Sequence, residues 1–265
     1  MSVPLLDVRA EADFLAGHLQ GAVSIPLEEL PARTHELPAA SAPLRVADAD
    51  PTRAARAADF LRTRGHPVDL VPWEPLLAVE PGRSRSMLWR PNPFLVEALA
   101  RIEPQATDRP SNARRAMDVA CGNGRDAVYL AMQGYDVLAV DLLPDALERA
   151  ADLARRCGVG LHTLAMDVER GPSLPAGPFD LVTVFRFLHR PFFPLLREAI
   201  APGGYVICET FHERNLATGR RPQNAAHLLK TGELAEAFAG FEILTTRDAV
   251  EREERFFSSL LARKP

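Results

Sequence analysis

The sequence predicts an α/β protein in two parts, a small α/β module followed by a larger, mostly parallel sheet with helices on both faces. Three observations carry that expectation. The 265-residue chain has room for one large domain or two modest ones. Its first 80 residues read as short elements repeatedly broken by proline, whereas after Phe94 strands and helices alternate as in βαβ units. Between the two, Glu80-Pro-Gly-Arg-Ser-Arg-Ser86 combines turn residues with charge, the composition of a linker. The implied division is 1–80, a connecting segment 81–93, and 94–265.

Bulk composition excludes more than it selects. A formal charge of −4 and a pI near 6.0 leave no electrostatic footprint for nucleic acid. Arginine supplies 29 of the 31 basic residues, a bias with little mechanistic content. No apolar run approaches the ~18 residues of a membrane span, and the N-terminus lacks a basic, apolar, small-residue leader pattern. Cys121, Cys157 and Cys208 are odd in number and have no metal-ligand spacing, which points to reduced thiols and no metal centre. The expectation is a soluble cytoplasmic protein with a small-molecule partner and neither a nucleic-acid nor a membrane partner.

The chemistry concentrates in Met117–Leu142, MDVACGNGRDAVYLAMQGYDVLAVDL: a strand, a glycine loop, a helix, a second strand and then an acid. Gly122 and Gly124 lack a Cβ, so the backbone can turn sharply and approach a ligand closely. A helix opening near Arg125 offers unpaired N–H groups across its end. Asp141 follows Asp118 by 23 residues, close to the roughly 20-residue spacing that brings an acid to a ribose diol. A dinucleotide loop would need a third glycine. Asp126, just inside the helix, would repel a pyrophosphate but tolerate a sulfonium or an ammonium.

The Asp118-x-Ala-Cys-Gly-x-Gly124 pattern resembles motif I of class I S-adenosylmethionine-dependent methyltransferases, with Ala120 in place of the usual first glycine. The helix sequence GNGRDAVYLA is most similar to the tellurite-resistance type of small-molecule methyltransferase. The resemblance extends from about Trp89 to the C-terminus and implies a Rossmann-like seven-stranded sheet. It implies that Asp118, Ala120, Cys121, Gly122, Gly124, Arg125, Asp141 and Leu142 line the cofactor. Asp167 and Val168, after a third strand at Leu161–Met166, would meet the adenine, against which Met166 either packs or simply fills the core. The fourth strand, Phe179–Phe187, would bring Phe185 and Arg186 to the methionine portion, and His189 and Arg190 to the acceptor pocket. Arg186, His189 and Arg190 are the candidate catalytic residues. Arg190 has the alternative of pairing with a surface acid, and Cys121 reads as a packing residue. Pro202-Gly-Gly204 reads as a turn before a fifth strand at Tyr205–Glu209, which delivers Glu209–Asn215 to the same edge. Phe241–Val250 and Arg255–Lys264 form a final antiparallel pair. Trp89-Arg-Pro-Asn-Pro-Phe94 reads either as a lid or as a wedge between the two parts.

In the first part, Leu5–Leu30 resembles the opening of rhodanese-like domains through Asp7, Arg9, Gly17, His18, Gly21, Ala22, Ile25 and Pro26. The match starts beyond the family's first strand and helix. Arg53–Gly65 resembles the helix after that family's active loop, which places Asp48 where the sulfur-carrying cysteine belongs. No cysteine precedes Cys121, and a carboxylate cannot carry a persulfide. The expectation is an inactive rhodanese-like module, with cation binding at Asp48 and Asp50 as the functional alternative to solvated loop acids. The resemblance implies methyl transfer from S-adenosylmethionine to a small molecule such as a thiol or a chalcogen oxyanion. The rivals are a non-catalytic scaffold that kept both folds, a sulfurtransferase-linked protein, and an NAD-dependent dehydrogenase.

Overall fold

The computed structural model describes residues 3–73, 79–102, 114–170, 174–175 and 177–265. It divides into two units, Met1–Arg90 and Pro91–Pro265, and the division falls inside the 81–93 segment.

In the first unit, brief apolar runs between turn residues become short strands. In chain order these are β1 (Leu5–Asp7), α1 (Glu11–Ala16), β2 (His18–Leu19), β3 (Ala22–Ser24), β4 (Leu44–Asp48), α2 (Pro51–Arg62), β5 (Val68–Pro72) and β6 (Val79–Glu80). A parallel sheet of order β3-β1-β4-β5 buries Leu6, Val8, Leu44 and Val46 against Ile25 and Leu61. Strands β2 and β6 form a separate antiparallel pair. Helix α2 starts cleanly for two local reasons. Pro51 occupies the first turn, where its missing N–H is not needed, and the Asp50 carboxylate accepts the Thr52 amide at 2.8 Å.

The second unit runs α3 (Pro93–Ile102), β7 (Arg115–Val119), α4 (Arg125–Met132), β8 (Asp136–Asp141), α5 (Pro144–Arg156), β9 (His162–Ala165), β10 (Phe179–Phe185), α6 (Phe193–Ala199), β11 (Ile200–Phe211), α7 (Glu233–Ala237), β12 (Glu242–Arg252) and β13 (Arg255–Arg263). Its seven strands are ordered β12-β13-β11-β10-β7-β8-β9, all running one way except β13. Strand alternation sends Met117, Val119, Val182 and Val184 to one face, under Leu196, Leu234 and Phe238. Ala116, Leu181 and Phe185 face the other way, under Leu95, Ala127 and Leu130. A sheet covered on both faces explains why its central strands read as nearly continuous apolar runs.

This topology decides where a ligand can lie. From β7 the chain builds outward through β8 and β9, then returns to the other side of β7 with β10. The order reverses between β7 and β10, and the crevice of an open α/β sheet opens at the carboxyl ends of strands at such a point. Two expected boundaries shift. Strand β10 stops at Phe185 because Arg186 takes a left-handed φ of 55°. The expected turn at Pro202–Gly204 is instead absorbed into a twelve-residue β11 as a bulge, the pairing jumping from Phe179↔Ile200 to Leu181↔Tyr205.

Candidate active site

At the carboxyl end of β7, Asp118 is only 2% exposed. Its Oδ1 accepts the Thr183 hydroxyl of β10 at 2.7 Å, while Oδ2 has no hydrogen-bond partner among the described residues. Burial, followed by the charge of Asp126, pushes the Asp118 carboxyl well above its ordinary range. The loop that follows is shaped by backbone conformation. Ala120 adopts φ 56°, the value a glycine would take freely. Gly122, at φ 55°, faces open space, and its amide donates to Asp141 Oδ2 at 2.7 Å. Gly124 is required twice over: its φ is 78°, and a Cβ there would lie 2.4 Å from the Cβ of Ala150 on α5. Cys121 is half-buried, and burial holds its thiol neutral by raising its pKa, in keeping with a packing role.

The other candidate cofactor residues line the neighbouring strand ends. Asp141 closes β8, and its second oxygen accepts the Leu143 amide at 3.0 Å. Both oxygens therefore hold the loop while keeping lone pairs to spare. Leu142 is 58% exposed beside it. The Met166 amide donates to the Asp141 carbonyl at 2.9 Å, which brings the end of the third strand alongside the second. Asp167 Oδ1 organises its own turn, accepting the Glu169 and Arg170 amides at 3.0 and 3.3 Å, and Val168 is half-buried next to it. Arg125 starts α4, and Phe185 is buried at the end of β10.

The structure adds contacts that the sequence did not reveal. Asn92 makes three contacts: its amide donates to Asp126 Oδ1 at 2.6 Å, its Nδ2 donates to Glu209 Oε1 at 2.9 Å, and its Oδ1 accepts the Phe94 amide at 2.8 Å. One residue, through its backbone amide and its side chain, thus caps α3 and ties the glycine-loop helix to the end of β11. Glu209 is buried and also paired with Arg252 of β12. The separations of 34, 117 and 43 residues explain why no local pattern could reveal these contacts. Burial raises the Asp126 carboxyl to about 6, against the lowering effects of the Asn92 amide and the Arg186 charge.

The three candidate catalytic residues fare differently. Arg186 is exposed, its amide donating to the Glu209 carbonyl at 2.8 Å, and its guanidinium makes no hydrogen bond among the described residues. His189 is half-buried, with no partner to its imidazole among the described residues. Arg190 is instead committed within the fold. It grips Glu233 through two nitrogens at 2.6 and 3.0 Å and donates to the carbonyls of Ala226 and Leu228, both at 2.8 Å. Of the Glu209–Asn215 stretch, His212 is held on both ring nitrogens. Nδ1 accepts the Arg214 amide at 3.1 Å and Nε2 meets Thr231 Oγ1 at 3.1 Å.

In the first unit Asp48 ends β4, at the position expected for a nucleophile, and each of its oxygens accepts a hydrogen bond from its own unit. Oδ1 accepts the Asp50 amide at 2.9 Å and Oδ2 the Arg53 Nε at 3.1 Å, with Arg53 also held by Glu28 and the Val8 carbonyl. A cleft of about 790 Å³ opens beside it. No cluster of metal ligands occurs among the described residues, and none of their helices is long and apolar enough to cross a membrane.

Residues 116–204 match a family of methyltransferase domains and residues 1–71 match the rhodanese-like domain family. The uncharacterised protein UNK4.09 of Schizosaccharomyces pombe is 23% identical over 88% of this chain and 84% of its own length. The ubiquinone biosynthesis O-methyltransferase of Bordetella avium is 33% identical over 37% of this chain, and the match spans 43% of that enzyme. Against the named methyltransferases it matches, the chain covers between 37% and 65% of the relative's length. Among solved structures, TehB of Haemophilus influenzae superposes with a TM-score of 0.54 at 19% identity, covering 66% of this chain and 62% of that one, a likeness of fold.

Proposed function

For a chain that joins a rhodanese-like domain without the catalytic cysteine to a class I S-adenosylmethionine-dependent methyltransferase domain, we propose transfer of a methyl group to a small, anionic or polarisable acceptor. The observation that carries the reading is Asp118, a buried strand-end carboxylate with one oxygen unpartnered beside a loop whose Gly122 faces open space. These residues fit the cofactor: a cation is what such a carboxylate lacks, and Asp141 and Asp167 stand at the next two strand ends to receive a ribose and an adenine.

S-adenosylmethionine supplies an already activated methyl group on a sulfonium. The chain's own work is therefore to bind, orient and exclude water, which can be worth roughly 7–11 kcal/mol. Asp118, the Ala120–Gly124 loop, Arg125, Asp141, Leu142, Asp167, Val168 and Phe185 would hold the cofactor. Asn92 and Glu209 fix the segment that precedes α3 to the same edge. Arg186, whose guanidinium makes no hydrogen bond among the described residues, is our candidate for receiving an anionic acceptor such as a thiolate or a chalcogen oxyanion. His189 would serve as a base only for an acceptor neutral at working pH. We assign Arg190 to holding the segment that leads into α7. We also assign Asp48 an inward, structural role, which leaves the first domain without sulfur-transfer chemistry.

Calorimetry of the full chain with S-adenosylmethionine tests the donor, and absence of binding would refute it. S-adenosylhomocysteine release over a panel of thiols and selenium and tellurium oxyanions tests the acceptor. Turnover confined to uncharged hydroxyl acceptors would reject the anionic reading.

A further inference from the structure

Three acids meet around the start of α4, and they are not equally provided for. Glu209 is paired with Arg252 and hydrogen-bonded by Asn92. Asp118 has the Thr183 hydroxyl on one oxygen, feels the backbone amide of Ala127, and has no partner on the other oxygen among the described residues. Asp126 has one backbone amide, that of Asn92. Neither Asp118 nor Asp126 makes an ion pair among the described residues. The charges facing Asp126 come from each surrounding element: Asp118 from β7, Arg125 from its own helix, Arg186 after β10, and Glu209 from β11 with Arg252 behind it. Asp141 of β8 acts on Asp118 from the other side. Two neighbouring carboxyls with so few compensating contacts cannot both remain ionised without cost, so the empty pair holds its protons to higher pH than ordinary aspartates do.

We infer that Asp126, acting with Asp118, sets the donor-over-product selectivity of this site, because a bound positive charge takes the place of the proton the two carboxyls otherwise keep. The inference rests on the donor reading above and deepens it. The donor carries a sulfonium and the thioether product does not, while their amino and carboxylate groups are the same. Only the donor therefore brings the charge that expels the proton. The direction follows from linkage. A carboxyl titrating at about 6 in the free protein and lower in the complex must lose its proton on binding. Donor affinity is then level above neutrality and falls, by up to tenfold per pH unit, on acidification through that value. Product affinity follows a flatter course.

The experiment is calorimetry of the full chain at about pH 6, the value at which Asp126 titrates, in two buffers of different ionisation enthalpy. The ligands are S-adenosylmethionine, S-adenosylhomocysteine, and an analogue with an ammonium at the sulfur position. Proton release is expected with the two cationic ligands and little or none with the thioether. Asp126→Asn should abolish the release, flatten the donor profile and narrow the donor-to-product affinity ratio. The wild-type comparison stands even if that variant folds poorly. Equal proton release for donor and product would overturn the inference and leave the donor reading intact, whereas absence of binding by all three would overturn both.

Discussion

Both domains place an aspartate at the carboxyl end of a parallel strand just ahead of a helix, and the two are provided for in opposite ways. Asp48 is filled from within: an amide on one oxygen, a guanidinium on the other, and that guanidinium clamped in turn by Glu28. Asp118 is left short, buried with an unpartnered oxygen beside a loop that faces open space. A buried polar atom without a partner costs on the order of 1–3 kcal/mol. That cost persists at Asp118, where a ligand could relieve it, and is removed by internal pairing at Asp48. The same residue type in the same topological place is thus structural in one domain and a candidate ligand group in the other.

The largest effect expected from this contrast is at Asp118. Asp118→Asn keeps a partner for Thr183 but removes the buried negative charge. The affinity for S-adenosylmethionine should fall by roughly 10- to 100-fold, as for loss of a hydrogen bond to a charged group, read by calorimetry. The ligand-free protein should melt at the same temperature or higher, because a buried carboxyl that burial disfavours in its charged form gives way to a neutral amide. Asp48→Ala should do the reverse. It strips Arg53 and the Asp50 amide of their acceptor and should lower stability by about 1–2 kcal/mol, with cofactor affinity unchanged. If both variants lose stability and only stability, the proposed contrast is wrong.

The strands of the second domain were legible because apolar runs are local, and the conformation of the glycine loop because its glycines and acids lie within one βαβ unit. Strand order was legible only through resemblance, since nothing in the composition of β10 says that it returns beside β7. Contacts across long stretches of chain were not legible at all. Asn92 reads as part of a Pro-rich segment until the fold brings Asp126 and Glu209 to it. Arg190 reads either as a cation beside a pocket or as the partner of some acid, and only the fold supplies that acid, Glu233, 43 residues on.

The third expectation concerns pH. Asp126 titrates at about 6 in the folded chain, and Asp118 is also raised. An unfolded aspartate titrates near 3.9. Between those values the folded state binds more protons than the unfolded one, so the contribution of these groups to stability is greatest in acid and falls as pH rises through about 6. The ligand-free protein should therefore lose on the order of 1–2 kcal/mol from this source between mildly acid and neutral pH. Asp126→Asn should remove part of that slope, and saturating S-adenosylmethionine should remove more. A melting profile in which Asp126→Asn leaves the slope intact would place the titration elsewhere.

The smallest effect separates backbone strain from ligand chemistry. Ala120 holds a left-handed φ of 56° at the position where the methyltransferase pattern usually has glycine. A side chain there costs about 1–2 kcal/mol, because its Cβ crowds the following carbonyl. Glycine would relieve that crowding but loses more freedom on folding, roughly 0.5–1 kcal/mol. The two terms leave Ala120→Gly stabilising by about 0.5–1 kcal/mol, measurable as a shift in denaturant midpoint at unchanged m-value. Because the loop already adopts the conformation glycine prefers, cofactor affinity should change little. A stabilised variant that also binds the cofactor much more tightly would mean that the loop is not preformed, and that its adjustment is part of the binding free energy.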